Sequence, residues 1–246
     1  TRVAADAVSM GKPIDEITAI GGTVLTDPDG KPVIFNVTNG KPGVLNKVDA
    51  RTGKLIWAKE LPPAGGSYSV VHDAKGDVYV ASVSSQGYFY RVKAGSDIVE
   101  NLGIPVPGET FLWDIVVGDG GMIYGSTFPG AKMWSYDTAN GKVRDYGSLL
   151  QGAQQGRNVA FHNGTVYVGL MTPGKLFAVT AATGAKTELP MPAGVNTSDP
   201  MLSVFDLDVV DGTLYMRVGT DIKTAPLYAY DLATKQWKSW SMDDVS

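Results

Sequence analysis

Short apolar runs alternate with turn-forming residues along the whole chain, and no stretch carries a sustained 3.6-residue period. β-rich triplets recur as Val33-Ile34-Phe35, Val78-Tyr79-Val80, Met122-Ile123-Tyr124, Val166-Tyr167-Val168 and Leu214-Tyr215-Met216, their central residues 45, 44, 44 and 48 positions apart. A turn signal precedes each one: Asp29-Gly30, Lys75-Gly76, Gly120-Gly121, Asn163-Gly164 and Asp211-Gly212. A glycine-bearing dipeptide between two β-patterned runs marks a hairpin, because the favoured hairpin turns need positive φ. A second hairpin follows each triplet. Its first strand carries an apolar or aromatic pair such as Met133-Trp134 or Leu176-Phe177, and its turn is polar, as in Asp49 to Lys54 or Asp137 to Lys142.

Four short antiparallel strands in roughly 45 residues, repeated, is the period of a β-propeller blade. An ordinary β-sandwich gives no reason for the same turn chemistry at a fixed offset. The predicted fold is therefore all-β, a β-propeller of four-stranded blades. Five blades are visible, at approximately 17–61, 66–106, 110–150, 155–192 and 203–241, in one domain or propeller fragment over 1–246. They form either a closed five-bladed ring or part of a larger one, for example seven-bladed, completed by a second chain.

Composition narrows the chemistry. With 21 Lys+Arg against 25 Asp+Glu the net charge is -4, without the basic excess of a nucleic-acid footprint. No apolar run approaches the roughly 18 residues of a membrane span, so no membrane partner is expected. Cysteine is absent, which excludes disulfides, thiol nucleophiles and thiolate metal sites. Thr1 to Ala5 shows no apolar leader, and the start without methionine suggests a trimmed or mature chain.

The run Lys47-Val48-Asp49-Ala50-Arg51-Thr52-Gly53-Lys54-Leu55-Ile56-Trp57 resembles the tryptophan-docking repeat of propellers similar to quinoprotein dehydrogenases. There Asp and Thr-Gly make the turn and Trp packs between neighbouring blades. A pyrroloquinoline quinone enzyme of that kind uses a vicinal cysteine pair that this chain lacks, so no cofactor is expected. The segments Pro107-Gly108-Glu109-Thr110-Phe111-Leu112-Trp113-Asp114, Arg144-Asp145-Tyr146-Gly147 and Phe205-Asp206-Leu207-Asp208-Val209-Val210 resemble large secreted bacterial propeller proteins. Some distant relatives of that shape are polysaccharide lyases acting on rhamnose–glucuronate linkages. The resemblance implies a secreted, cell-surface or periplasmic protein that handles carbohydrate.

In a propeller, residues entering each innermost strand, and those between second and third strands, gather at one mouth of the central channel. The first set is Tyr68, Trp113, Asp114, Arg157, Asn158, Phe205 and Asp206; the second is Asn39, Lys41, Gln86, Phe128, Thr172, Asp221 and Lys223. Such a mouth suits a glycan or another polar ring ligand, held by aromatic stacking and fixed hydrogen bonds. Trp113, Asp114, Gln155, Asn158, Asp206 and Gln86 are the expected ligand-binding residues. Asp114, Asn158 and Asp206 share one repeat position, where they could ring the mouth with acceptors or cap exposed backbone amides.

Arg157 could grip a carboxylate through two parallel hydrogen bonds, or pair with Asp114 or Asp206 across blades. In a uronate, neutralising the carboxylate makes the adjacent proton easier to remove, and Tyr68, Tyr124 or a lysine would be the base. His72 and His162 fall at the far ends of first strands, away from the mouth, and no metal site is expected. The leading expectation is an exported glycan-binding propeller, with polysaccharide lyase activity if it is an enzyme. The alternatives are a protein-interaction scaffold and a quinone-dependent oxidoreductase.

Overall fold

The computed structural model describes residues 19–238. Positions 17–18 of the first expected repeat and 239–241 of the fifth, with Trp240, lie outside them. The described residues are all-β apart from a short 3-10 turn at Asp119–Gly121. Twenty strands follow in chain order, in five four-stranded units. The first comprises β1 (Ala19–Thr26), β2 (Pro32–Thr38), β3 (Val44–Asp49) and β4 (Leu55–Glu60). The second comprises β5 (Gly66–His72), β6 (Val78–Val83), β7 (Phe89–Val92) and β8 (Val99–Gly103). The third comprises β9 (Phe111–Val117), β10 (Met122–Phe128), β11 (Lys132–Asp137) and β12 (Val143–Ser148). The fourth comprises β13 (Gln155–His162), β14 (Thr165–Met171), β15 (Leu176–Thr180) and β16 (Lys186–Leu189). The fifth comprises β17 (Ser203–Val210), β18 (Thr213–Gly219), β19 (Leu227–Asp231) and β20 (Gln236–Lys238).

Within every unit each strand pairs antiparallel with the next. The turn chemistry explains the connections. Asn163 and Gly164 have φ of 45° and 72°, and Asp211 and Gly212 have 47° and 72°, the double positive φ of a type I′ hairpin. Asp49 and Asp231 each accept backbone N–H groups two and three residues on, which closes the polar turns between third and fourth strands.

The first strands pack side by side, β1 on β5, β5 on β9, β9 on β13 and β13 on β17. Gly21 permits the first of these contacts, since a Cβ there would lie 2.3 Å from the Tyr68 carbonyl oxygen. Single backbone pairings at Val83 with Phe111 and Met171 with Ser203 join units two to three and four to five. Apolar side chains fill the spaces between units: Leu45, Val70 and Tyr90 between the first and second, Ile123 and Trp134 against Tyr79 and Phe89 between the second and third. Polar docking bonds also run between successive units. The Tyr90 hydroxyl donates to the Leu61 carbonyl at 3.0 Å, Tyr146 to Ala181 at 2.8 Å, and the Trp237 indole to Pro190 at 2.9 Å.

Candidate functional site

One irregularity recurs at the same place in every first strand and builds the site. In β5 the pairing with β6 skips Tyr68, in β9 the pairing with β10 skips Trp113, in β13 Arg157 is skipped, and in β17 Phe205. In β1 two residues, Ile20 and Gly21, are skipped together. Each is a β-bulge, which leaves one residue out of the ladder and re-aims its side chain. The re-aimed side chains of all five units, Ile20, Tyr68, Trp113, Arg157 and Phe205, line one cavity of about 350 Å³.

The residue after each bulge works differently. Ser69 Oγ accepts the Ile115 N–H of the next unit at 3.1 Å, and Asp114 Oδ2 accepts the Val159 N–H of the unit after that at 2.9 Å. These two side chains staple neighbouring first strands together. Asp114 Oδ1 also accepts its neighbour's N–H, that of Ile115, at 2.9 Å. Burial pushes the Asp114 carboxyl above its ordinary 3.8, against the pull of the Val159 and Ile115 amides and of Arg157.

An acid with a raised folded pKa keeps its proton longer in the folded than in the unfolded chain. Its contribution to stability is therefore present below the unfolded value and lost as pH rises through the folded one. Asp114→Asn cannot titrate, but its NH₂ opposes one of the two amides. The melting-temperature gap between wild type and variant should narrow as pH rises above the ordinary aspartate value of 3.8. A gap that stays constant or widens would contradict this account of Asp114.

Arg157 stands out by what it lacks. Its guanidinium carbon lies 4.2 Å from the Trp113 ring centroid and 5.4 Å from that of Tyr68, and the two rings are 5.0 Å apart. Among the described residues it makes no ion pair and no hydrogen bond. Burial lowers its pKa below the ordinary arginine range, while the charges of Asp114 and Asp206 hold it up. It stays cationic, as arginine does. Partly burying a charge without an ion pair is unfavourable, and the cation–π contact offsets part of that cost. An anion entering the cavity would offset more of it.

Two more polar groups of the cavity wall are orphaned. Asn158 is 9% exposed, and neither its buried Oδ1 nor the buried Trp113 Nε1 has a partner among the described residues. Asp206 is exposed; its Oδ1 accepts the Leu207 N–H at 3.1 Å. Arg217 also lines the cavity, but it donates to the carbonyls of Ile222 and Ala225.

The structure thus gathers Tyr68, Trp113, Asp114, Arg157, Asn158, Phe205 and Asp206 around one cavity. It does not bring three other expected residues there. Tyr124 stacks on Phe161, ring centroids 5.4 Å apart, and lines a separate cavity of about 460 Å³ between the third and fourth units. Its position in the middle of β10 points it between units, away from Arg157. Gln86 is exposed in the loop between β6 and β7, and Gln155 begins β13 two residues ahead of the bulge, outside the cavity lining.

From the second-to-third-strand loops only Ile222 reaches the cavity, while its neighbour Asp221 turns back to accept the Lys223 N–H. Phe128 instead supports the site from behind, packed on Phe111, whose ring meets Trp113 edge-on at 5.0 Å. The sequence reading did not anticipate Ile20, Arg217 or Ile222. Ser69 it also missed, although that residue lies 45 positions before Asp114 and shares its repeat position. His72 is tied to Thr23 at 2.7 Å, away from the cavity.

An all-β repeat architecture with a polar cavity walled by its successive first strands defines a propeller-type protein. A family model for the outer membrane protein assembly factor BamB matches residues 41–246, and the chain belongs to that family. Among solved structures it resembles a chain of a nidogen/laminin complex, with a TM-score of 0.64 and 14% identity over 91% of this chain and 79% of that one. It also resembles the extracellular domain of a protein described as a one-component system of B. thetaiotaomicron, with a TM-score of 0.61 and 14% identity. That match covers 93% of this chain and 28% of the other, so the chain spans less than a third of it. Both likenesses are of fold. A comparison with curated protein sequences gives no match.

Proposed function

We propose that the protein is an exported binding propeller whose cavity takes a carboxylate-bearing ring ligand, with uronate-containing glycans as the leading class. The observation that carries this reading is Arg157, a guanidinium stacked on Trp113 with no ion pair or hydrogen bond among the described residues. A carboxylate would give it two parallel charge-assisted hydrogen bonds, the geometry arginine matches best. Export draws support from the family and from the extracellular domain among the structural neighbours.

The sugar-stacking part of the expectation changes. The guanidinium already lies over Trp113, so recognition rests on charge and on the orphaned polar groups more than on a free aromatic platform. Elimination from a bound uronate would fall to Tyr68 as the base, since Tyr124 lines a different cavity. A quinone with its calcium would need convergent oxygen donors and a stacking partner. Among the described residues no three His, Asp or Glu side chains converge, and the chain has no cysteine, so the residues present do not fit that group.

Titration of the purified chain with oligoglucuronate and with a neutral glucose oligomer tests the proposal. Oligoglucuronate should bind and weaken as salt rises, because charge carries the contact. The neutral oligomer should not bind. Equal binding of both, or of neither, would overturn the reading. A second reading, a protein-interaction scaffold, is favoured by membership in a family described as an assembly factor. A stoichiometric protein complex that survives Arg157→Ala, with no glycan bound, would replace the first reading with it.

A further inference from the structure

Once the internally satisfied groups of the cavity are set aside, its remaining valences have a definite pattern. Arg217, opposite Asp206 across β17 and β18, gives two of its N–H groups to backbone carbonyls, and Asp114 accepts two backbone amides. Among the described residues the Arg157 cation makes no ion pair and no hydrogen bond, and the Asp206 carboxylate has only Oδ1 engaged. The two feel each other's charge yet form no ion pair, so each keeps room for a ligand group. Asn158, nine-tenths buried, also lines the cavity, and its buried Oδ1 has no partner among the described residues. Ile20 and Ile222 add apolar surface to the wall.

We infer that the ligand of this cavity is zwitterionic: a small molecule that carries a carboxylate for Arg157 and an ammonium for Asp206. The inference rests on the carboxylate reading above and sharpens it. An anion alone satisfies Arg157 but meets the Asp206 carboxylate as a like charge. A molecule with both charges is complementary to both, and its uncharged part meets the apolar surface of Ile20 and Ile222. Two sources share this chemistry, an amino-bearing uronic acid and a free α-amino acid with an apolar side chain.

The test uses four probes on the intact chain by calorimetry: glucuronate, glucosamine, 2-amino-2-deoxyglucuronate and phenylalanine. The amino-uronate or phenylalanine should bind about fivefold more tightly than glucuronate, the scale of one partly exposed ion pair, and glucosamine more weakly than any of them. Which of the two binds more tightly identifies the source. Asp206→Asn keeps an acceptor for the Leu207 N–H while removing the charge. It should weaken the zwitterion and strengthen glucuronate, moving the two affinities in opposite directions.

Glucuronate that binds as tightly as the zwitterions, or an Asp206→Asn change that moves both affinities the same way or neither, overturns the inference and leaves the carboxylate reading standing. Failure of every carboxylate probe overturns both.

Discussion

Replacing Arg157 with alanine is expected to weaken uronate binding by about two orders of magnitude. The estimate follows from two charge-assisted hydrogen bonds, each about 1.5–3 kcal/mol, of which part is returned because the variant no longer encloses an unpaired charge. The variant should fold, because among the described residues the guanidinium makes no hydrogen bond or ion pair; it packs on Trp113 and Tyr68. Arg157→Lys separates charge from geometry. A lysine restores the charge as a point but not the planar fork or the flat stack, so its affinity should fall between wild type and alanine. Calorimetry on the three proteins decides the matter. Equal affinity for all three would remove Arg157 from the site, and equal affinity of lysine and wild type would leave charge alone, without bidentate contact.

The largest stability effect is expected at Trp134. Its side chain is fully buried between the second and third units, edge-on to Phe89 at a centroid distance of 5.1 Å. Gly125 leaves it room, since a Cβ there would come within 2.6 Å of the indole nitrogen. Trp134→Ala should cost about 4 kcal/mol, because the lost apolar contact is compounded by a cavity that β-strands cannot collapse around. Trp134→Phe should cost far less. The indole nitrogen has no hydrogen-bond partner, so removing it spares an unsatisfied donor while most of the ring contact survives. Urea unfolding of both variants measures the difference. Similar losses in the two would mean that the ring's volume does not carry this interface.

Much of the architecture was legible because a propeller repeats. The triplets around Ile34, Tyr79, Ile123, Tyr167 and Tyr215 each became a second strand, and the Gly-bearing turns before them became hairpins. The same period located Tyr68, Trp113, Arg157 and Phe205, since a repeat position holds one structural place in every unit. What periodicity could not show was the β-bulge that turns these residues into the cavity. No glycine or proline marks it at positions 68, 113, 157 or 205; it exists only in the offset between two paired strands.

Tyr124 illustrates the opposite failure. Its residue type suited a base, but strand alternation directs it between units, where it packs on Phe161. Arg217 and Ile222 escaped notice because β18 and the loop after it reach the cavity only through the curvature of the fifth unit, which residue spacing does not encode. Asp114 and Asp206 occupy one repeat position yet differ in use: the first staples β9 to β13, and the second stands exposed at the cavity.

The central claim is that Arg157 receives a ligand carboxylate. It is tested most directly by following the arginine side-chain Nε–Hε resonances in a nitrogen-15 spectrum while glucuronate is added. One resonance should shift saturably, and it should be the one missing from the Arg157→Ala spectrum. Saturable shifts of other arginines only, or no shift at concentrations where calorimetry reports binding, would place the ligand elsewhere and contradict the account.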